Sequence, residues 1–551
     1  MKHRADYRLL SRLSELMRLL RIGEQQAAFV QAILMGLAGA AAVLLFEAGC
    51  STVQGLLTGQ WGETRVACFS ELSPLRRVLL PCLGAVAAAL VLLAAHCVDS
   101  RRIPDYMEAF SLGNGRLPRR QGLLRSLSAV ISLGTGACIG KEGALMQIAA
   151  VAASAVGRRL YVSPHRLRLM VGCGAAAGMT AAFHTPLAAC LFVSEVVVGS
   201  LSIGYLAPLL LASCAAYAVV WCAGEGGALF PCAISVSDGS QLLLCLAAAL
   251  LLAPLAKLWV AWLNLARRLF SGRLAWLVVR MAAAGLLVGG VSVYQPAIVG
   301  NGQEAIAALL TSSFSLSEAA VLLGLKALLV AVVFGVGTMG GVLTPTLMLG
   351  CFGGWCFGVA AGAESPEVVA LAGMAAFFTS AARSPVTALL LVVELSMNAS
   401  LIFPVMAAVA LSYALSRYVP GASLYDGTHR EGLPTLRVRN LMFHAPSQLH
   451  EGVAENTLRR VALHHPNLPI PVVDEAGCYL GLLSPQSGQR ETPPAVAPSA
   501  TLAEALQLFE RCPQADYLPV VEAAALCGLL SRVELYQTQA LLFRRDLARR
   551  R

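Results

Sequence analysis

From about residue 96 to Val419 the chain is almost continuously apolar, yet glycines and prolines cut the run into pieces often shorter than the roughly 20 residues needed for a full helical crossing of a bilayer. Such helices break or turn back at membrane depth. Backbone amides and carbonyls cannot be left unpaired in hydrocarbon, so breaks persist only where protein buries them or a hydrated cavity lines them. The pattern predicts an all-α polytopic membrane protein whose irregular segments surround a permeation site. Composition agrees: 57% of residues are hydrophobic and 13% charged, with a mean hydropathy of +0.69, where soluble domains carry roughly 25% charge.

The formal charge of +10 sits in both termini and in short loops, the distribution that positive-inside topology leaves, and it argues against a nucleic-acid partner. Residues 1–25 carry six basic side chains (Lys2, Arg4, Arg8, Arg12, Arg18, Arg21) against Asp6, Glu15 and Glu24, with leucines at helical spacing. They read as a cytoplasmic amphipathic helix, because no small-residue cleavage site follows a short apolar core. Spans are expected over about 26–46 and 78–95, joined by a polar loop over 50–75. Both termini are placed in the cytoplasm and the chain in a plasma (inner) membrane. Most of the sixteen cysteines lie isolated in apolar segments and read as packing, while Cys50 and Cys68 flank the polar loop and would pair if it faced an oxidising compartment.

An internal repeat is visible. Gly178–Val196 aligns with the segment Met374–Leu395, placing Pro186 over Pro385 and Glu195 over Glu394 at an offset of 199, and GTGACIGKE from Gly134 aligns with GTMGGVLTP from Gly337 at an offset of 203. Two homologous halves, about 26–225 and 240–430, follow, with the inverted arrangement expected from transporters built of discontinuous helices. Beyond Tyr425 the composition turns towards proline, histidine and charge. Leu468–Ser484 resembles Tyr517–Ser531, with Pro471 over Pro519 and Gly481 over Gly528, so 431–551 reads as a small cytoplasmic α/β module of two repeats joined by a Pro-rich linker over 491–499.

Charges inside the membrane part are few. Lys141 and Glu142 are the only ones between Arg125 and Arg158, Glu195 is the only one between Arg168 and Glu225, and none lies between Lys326 and Glu364. An ionisable group at such depth is costly and is usually functional or paired; the bland alternative makes the GKEG segment a surface loop. Gly140 and Gly143 allow close backbone approach beside Glu142, and the apolar run that follows presents unpaired helix N-terminal amides, which attract anions. A carboxylate tethered there occupies the anion's own place and leaves it on protonation. The uncharged segment Gly340–Pro345 would offer a second amide cluster to the same ion.

These residues resemble the CLC chloride channel and transporter family. GKEGA at Gly140–Ala144 is similar to its GK/REGP motif, GGVLTP at Gly340–Pro345 to its GxFxP motif, and SLYD at Ser423–Asp426 to its central tyrosine segment. The C-terminal repeat resembles a pair of cystathionine-beta-synthase-type (CBS) domains. The resemblance implies a homodimer in the lipid bilayer with one chloride pathway per subunit. It makes Glu142 the gate, with Gly140, Lys141 and Gly143 around it, and gives the anion the Tyr425 hydroxyl and the backbone of Gly341, Val342 and Leu343.

Four residues depart from the family's motifs; Leu343 for phenylalanine should cost little, because the backbone does the binding, and the other three bear on function. The family's GSGIP is SRRIP here, so Arg101 stands where an anion-contacting serine is expected, either raising anion affinity or turning to the cytoplasm. Ala144 replaces the motif's proline, and Leu343 its phenylalanine. Val196 stands where family exchangers carry an internal proton-transfer glutamate, and valine carries no proton. For Glu195 and Glu394, at equivalent repeat positions, a role in closing helix ends is expected. In the CBS pair, Ser531 and Glu534 have the spacing of a ribose-binding Ser and acid, which would admit an adenine nucleotide.

Passive, gated chloride transport is therefore the leading reading, ahead of a proton-coupled chloride or fluoride antiporter and a non-conducting sensor. A magnesium channel would need acids along the pore, which the uncharged stretch from Ala327 to Ala363 does not supply. No nucleophile–base pair, metal-ligand cluster or phosphate loop points to an enzyme.

Overall fold

The computed structural model describes residues 24–98, 105–111, 114–160, 162, 164–199, 203–224, 226–232, 239–311, 314–419, 421–425, 437–443, 448–450, 469–484, 489–512, 514–533 and 535–536. Residues 1–23 of the expected N-terminal helix, Arg101 and Glu534 lie outside them. Two compact units emerge: Met1–Tyr106 with Leu117–Arg159 and Leu169–Thr428, and Met107–Arg116 with Leu160–Arg168 and His429–Arg551.

In chain order the first half contains α1 (Glu24–Thr58), α2 (Arg65–Glu71), α3 (Pro74–Val98), α4 (Tyr106–Ser111), α5 (Arg119–Gly134), α6 (Glu142–Arg159), α7 (Pro164–Phe183), α8 (Pro186–Phe192), a π-helical turn (Val193–Val198) and α9 (Ile203–Cys222). The second contains α10 (Gly239–Phe270), α11 (Leu277–Tyr294), α12 (Gln303–Leu310), α13 (Leu316–Gly335), α14 (Leu343–Ala360), α15 (Pro366–Ala382), α16 (Pro385–Ser396) and α17 (Ile402–Tyr418). Among the described residues, eight helices are long and apolar enough to cross a bilayer, while Pro186–Val198, Pro366–Ala382 and Pro385–Ser396 are apolar but too short. Protein surrounds α15 from its first turn onward, where every residue from Val368 to Ala382 is buried. Long helices turn leucines outward, Leu45, Leu243 and Leu258 among them, as a lipid-facing belt requires.

The first span is longer than expected. Helix α1 continues through the predicted loop to Thr58, where Thr52 and Thr58 bond back along the helix to Ala48 O (2.7 Å) and Gln54 O (2.8 Å). Part of the remaining loop folds as α2, capped by Thr64. Cys50 and Cys68 are free thiols: Cys50 faces Val130 O and Cys68 accepts from Gln54 Nε2 at 3.1 Å. Helices α3 and α11 cross closely, since a Cβ on Gly285 or Gly289 would stand 2.5 Å from Pro81 O or Val78 O. That is the small-residue contact by which membrane helices gain dispersion energy without a hydrophobic driving force.

The two halves exchange equivalent contacts. Glu195, in the π-helical turn, accepts from the amides of Val386 (3.4 Å) and Thr387 (2.9 Å) and from the Thr387 hydroxyl (2.7 Å). Glu394 of α16 accepts from the amides of Leu187 (3.0 Å) and Ala188 (2.7 Å). Each acid thus closes the start of the other half's short helix, where orphan amides would otherwise face hydrocarbon. His184 and Arg383, the left-handed residues before those helices, also match at the offset of 199. The upstream pairing needs correction. Helices α5 and α13 end at Gly134 and Gly335, left-handed Gly136 (φ 93) matches Gly337 (φ 97), and α6 and α14 begin at Glu142 and Leu343. The offset there is 201, not 203: the repeated GT dipeptide favours one register, and the glycines that must adopt positive φ fix another.

In the second unit, β1 (Leu449–His450), β2 (Ile470–Val473), β3 (Tyr479–Leu483) and β4 (Arg490–Glu491) form one sheet in that order, with β1 parallel to β2. A hairpin of β5 (Tyr517–Glu522) and β6 (Ala525–Ser531) forms another, beside the turn α18 (Val438–Leu441) and α19 (Leu502–Arg511). Helix α19 carries a Thr501–Glu504 capping box, and its Ala505 and Phe509 pack on Leu518, Val520 and Leu530. Tyr479 N bonds Ala524 O at 3.0 Å, joining the two sheets. Burial pushes the Tyr479 hydroxyl up to about 12, so it is neutral at physiological pH.

Candidate functional site

The GKEGA and GGVLTP segments lie against each other. Gly140 N donates to Gly341 O (2.8 Å) and Gly341 N to Gly140 O (2.7 Å), a two-residue antiparallel bridge between the halves. Neither glycine of the bridge could carry a side chain, for a Cβ on Gly341 would stand 2.8 Å from Gly143 N and one on Gly140 would collide with Glu142 Oε2. The bridge aims the starts of α6 and α14 at one region. Gly341, expected among the anion's amide donors, spends its N–H on Gly140. The donors left are the first-turn amides of each helix, at Gly143 and Ala144 and at Leu343 and Thr344, which have no partner four residues upstream; Pro345 has no N–H to add.

Glu142 begins α6 inside this seam and is 1% exposed. Its Oε1 accepts from the Thr344 hydroxyl and, at 3.2 Å, from Asn301 Nδ2, while Oε2 turns towards Gly140 and Gly341 and has no hydrogen-bond partner among the described residues. The neighbouring Lys141 turns away: its Nζ pairs with Glu47 Oε1 of α1 at 2.6 Å. Asn301 sits between left-handed Gly300 and Gly302 and accepts from Gln303 N at 3.2 Å, which opens α12. Its loop is pinned by Lys326 of α13, fully buried, whose Nζ donates to Ile298 O (2.8 Å) and Gly300 O (2.9 Å).

Tyr425 lies near this carboxylate, and Tyr106 lies near Tyr425. The Tyr425 segment is moored to the end of α15 by Leu424 N to Ala381 O (2.8 Å) and Ser423 Oγ to Ala382 O (3.0 Å). The Tyr425 ring stands edge-on to Phe192 at 5.4 Å and lies within electrostatic range of Glu142. Tyr106, buried at the start of α4, bonds its hydroxyl to Met146 Sδ (3.6 Å), one turn beyond Glu142, and lies within range of Tyr425. Its amide is held by Asp105 Oδ1 (2.7 Å) and Gln147 Oε1 (2.9 Å).

The sequence singles out Glu142, its glycines, the Gly340–Pro345 segment and Tyr425, and the fold brings these together. It does not point to Asn301 or Tyr106, and it marks Thr344 only as part of the Gly340–Pro345 backbone segment, not for its hydroxyl; a lone asparagine between two glycines, and a tyrosine two residues past the proline of SRRIP, are the signals present. Val196 lies in the π-helical turn beside Glu195, whose carboxylate is committed to the start of α16. Leu343, the first residue of α14, is the positional counterpart of Glu142 in the second half, and both it and Val342 are buried. In the C-terminal unit Ser531 is buried at the end of β6.

The sequence profile described as voltage gated chloride channel matches residues 83–417. The chain belongs to the CLC family. A ClcB-like chloride channel protein of Ralstonia nicotianae is 31% identical over 404 residues, 71% of this chain and 94% of that protein. A voltage-gated ClC-type chloride channel, ClcB, of Escherichia coli is 30% identical over 408 residues, 72% of this chain and 96% of that one. Among solved structures, a slow cyanobacterial Cl−/H+ antiporter superposes with a TM-score of 0.64 at 18% identity, covering 75% of this chain and all of the other. A CLC-type fluoride/proton antiporter gives 0.60 at 22% identity, over 73% and 98%. These likenesses establish the CLC fold, with its inverted membrane repeats. The CBS domain profile matches 490–539, so the CLC membrane part is followed by a CBS module.

Proposed function

We propose that this CLC protein conducts chloride, or a similar small anion, passively across the inner membrane, with Glu142 as a protonatable gate. The observation that carries this reading is a buried carboxylate seated between the starts of two helices from opposite repeats. The ends of those helices carry partial positive charge and free amides, which suit an anion, and the carboxylate takes the anion's place. Tyr425 and Tyr106 supply hydroxyls further along the same region. Passive transport is favoured over exchange because Val196 carries no proton and Glu195 and Glu394 are both committed to helix starts. Chloride efflux from liposomes holding the purified protein tests the reading: acid on the side that Glu142 faces raises the flux, and absence of any anion flux would favour a membrane-anchored sensor.

Proton-coupled exchange of chloride or fluoride is the second reading. It would use Asp105, the carboxylate bonded to the Tyr106 amide, as the acid linked through the tyrosines to Glu142.

The membrane domain is taken as 26–430 and the CBS pair as 431–551. Both termini are placed in the cytoplasm, and the protein acts as a homodimer joined mainly by apolar membrane helices. Deletion of 431–551 then leaves a dimer in detergent by light scattering; a monomer would make the cytoplasmic module the principal contact. An adenine nucleotide between the CBS repeats, held by Ser531 and Glu534, remains part of this proposal.

A further inference from the structure

We infer that Thr344 and Asn301 form a latch on the gate: they hold the Glu142 carboxylate in the anion's place and set the proton concentration at which it lets go. The inference rests on the gate reading above. Both groups donate, through the Thr344 hydroxyl and Asn301 Nδ2, and both converge on Oε1, leaving Oε2 towards the Gly140–Gly341 bridge. Two donors on one oxygen of a buried carboxylate favour its charged form, because hydrogen bonds to an ion are roughly twice as strong as those between neutral groups. When Oε2 takes a proton the charge assistance is lost and the side chain is free to leave. The Thr344 hydroxyl and Asn301 amide then stand with the first-turn amides of α6 and α14 as side-chain donors to the incoming anion.

The latch comes from two separate places in the chain, and a third steadies it. Thr344 is in the first turn of α14, in the second repeat. Asn301 is fixed by the two left-handed glycines and by its own bond to Gln303 N, and Lys326 holds the loop that carries it. The remaining charged and titratable groups around Glu142 are committed elsewhere or face it from a distance. Lys141 is paired with Glu47 of α1, which Arg65 and His184 also approach. Glu304 of α12 accepts from the amides of Arg65 (3.0 Å) and Val66 (2.8 Å). Lys326 bonds carbonyls beside Cys138, and Tyr425 acts from the C-terminal segment. Thr344 and Asn301 are thus the side chains that bond the gate directly.

The test is chloride efflux from liposomes against pH on the side that Glu142 faces, for wild type, Thr344→Val, Thr344→Ser, Asn301→Leu and Glu142→Ala, each first shown to elute as the wild-type species. Thr344→Val is close to isosteric and removes only the donor. It should move the midpoint of acid activation about one pH unit upward, tenfold in proton concentration. Asn301→Leu should move it in the same direction, and Thr344→Ser should restore the wild-type midpoint. Midpoints of Thr344→Val and Asn301→Leu that match wild type, with the acid response abolished in Glu142→Ala, would overturn the latch and leave the gate standing. An acid response that persists in Glu142→Ala would overturn the gate and the latch together.

Discussion

Glu142→Ala should conduct at neutral pH and lose its response to acid. In the wild-type fold the carboxylate fills the seam between α6 and α14 and is held there by Thr344 and Asn301. Each bond to a charged group contributes about 1.5–3 kcal/mol, and roughly 1.4 kcal/mol is a factor of ten in population, so removing the side chain should raise neutral-pH efflux at least about tenfold. Alanine keeps the start of α6 and its amides, so the anion's donors survive the change. Chloride efflux at two pH values reads both effects at once. Equal acid responses in Glu142→Ala and wild type would make GKEG a surface feature of the permeation path rather than its gate.

Lys326→Met should be strongly destabilising, although Lys326 touches neither anion nor gate. Its Nζ is the donor for Ile298 O and Gly300 O at 2.8 and 2.9 Å, and the side chain is fully buried. Methionine fits the same volume and leaves two buried carbonyls without a donor, at about 1–3 kcal/mol each. The loss falls on the loop that carries Asn301, so the variant should also close its gate less firmly and leak at neutral pH. Heating the detergent-solubilised protein and scoring the surviving fraction by gel filtration measures the first effect. A survival curve unchanged from wild type would show that the loop holds its shape without Lys326.

Most of the membrane architecture was legible because its causes are local. Gly and Pro breaks in apolar runs, a pair of prolines one repeat apart and two isolated acids at equivalent positions all report backbone requirements that the fold then meets, as the exchanged Glu195 and Glu394 contacts show. What escaped was set by distance in sequence. Thr344 meets Glu142 across 202 positions and Asn301 across 159, and neither residue type is unusual in its own neighbourhood. The register of the first repeat pair was misjudged for a related reason: Gly136 and Gly337 matter for their positive φ, which composition does not display. The run of α1 to Thr58 was hidden by polar residues that bond back along their own helix.

Chloride and proton fluxes recorded together from the same liposomes test passive conduction most directly. With a chloride gradient and no imposed proton gradient, chloride should leave through the wild-type protein without driving protons uphill, and acid on the side that Glu142 faces should increase the chloride flux alone. A fixed ratio of chloride to protons, abolished by Asp105→Asn or Glu142→Ala, would contradict conduction and make this CLC protein an exchanger.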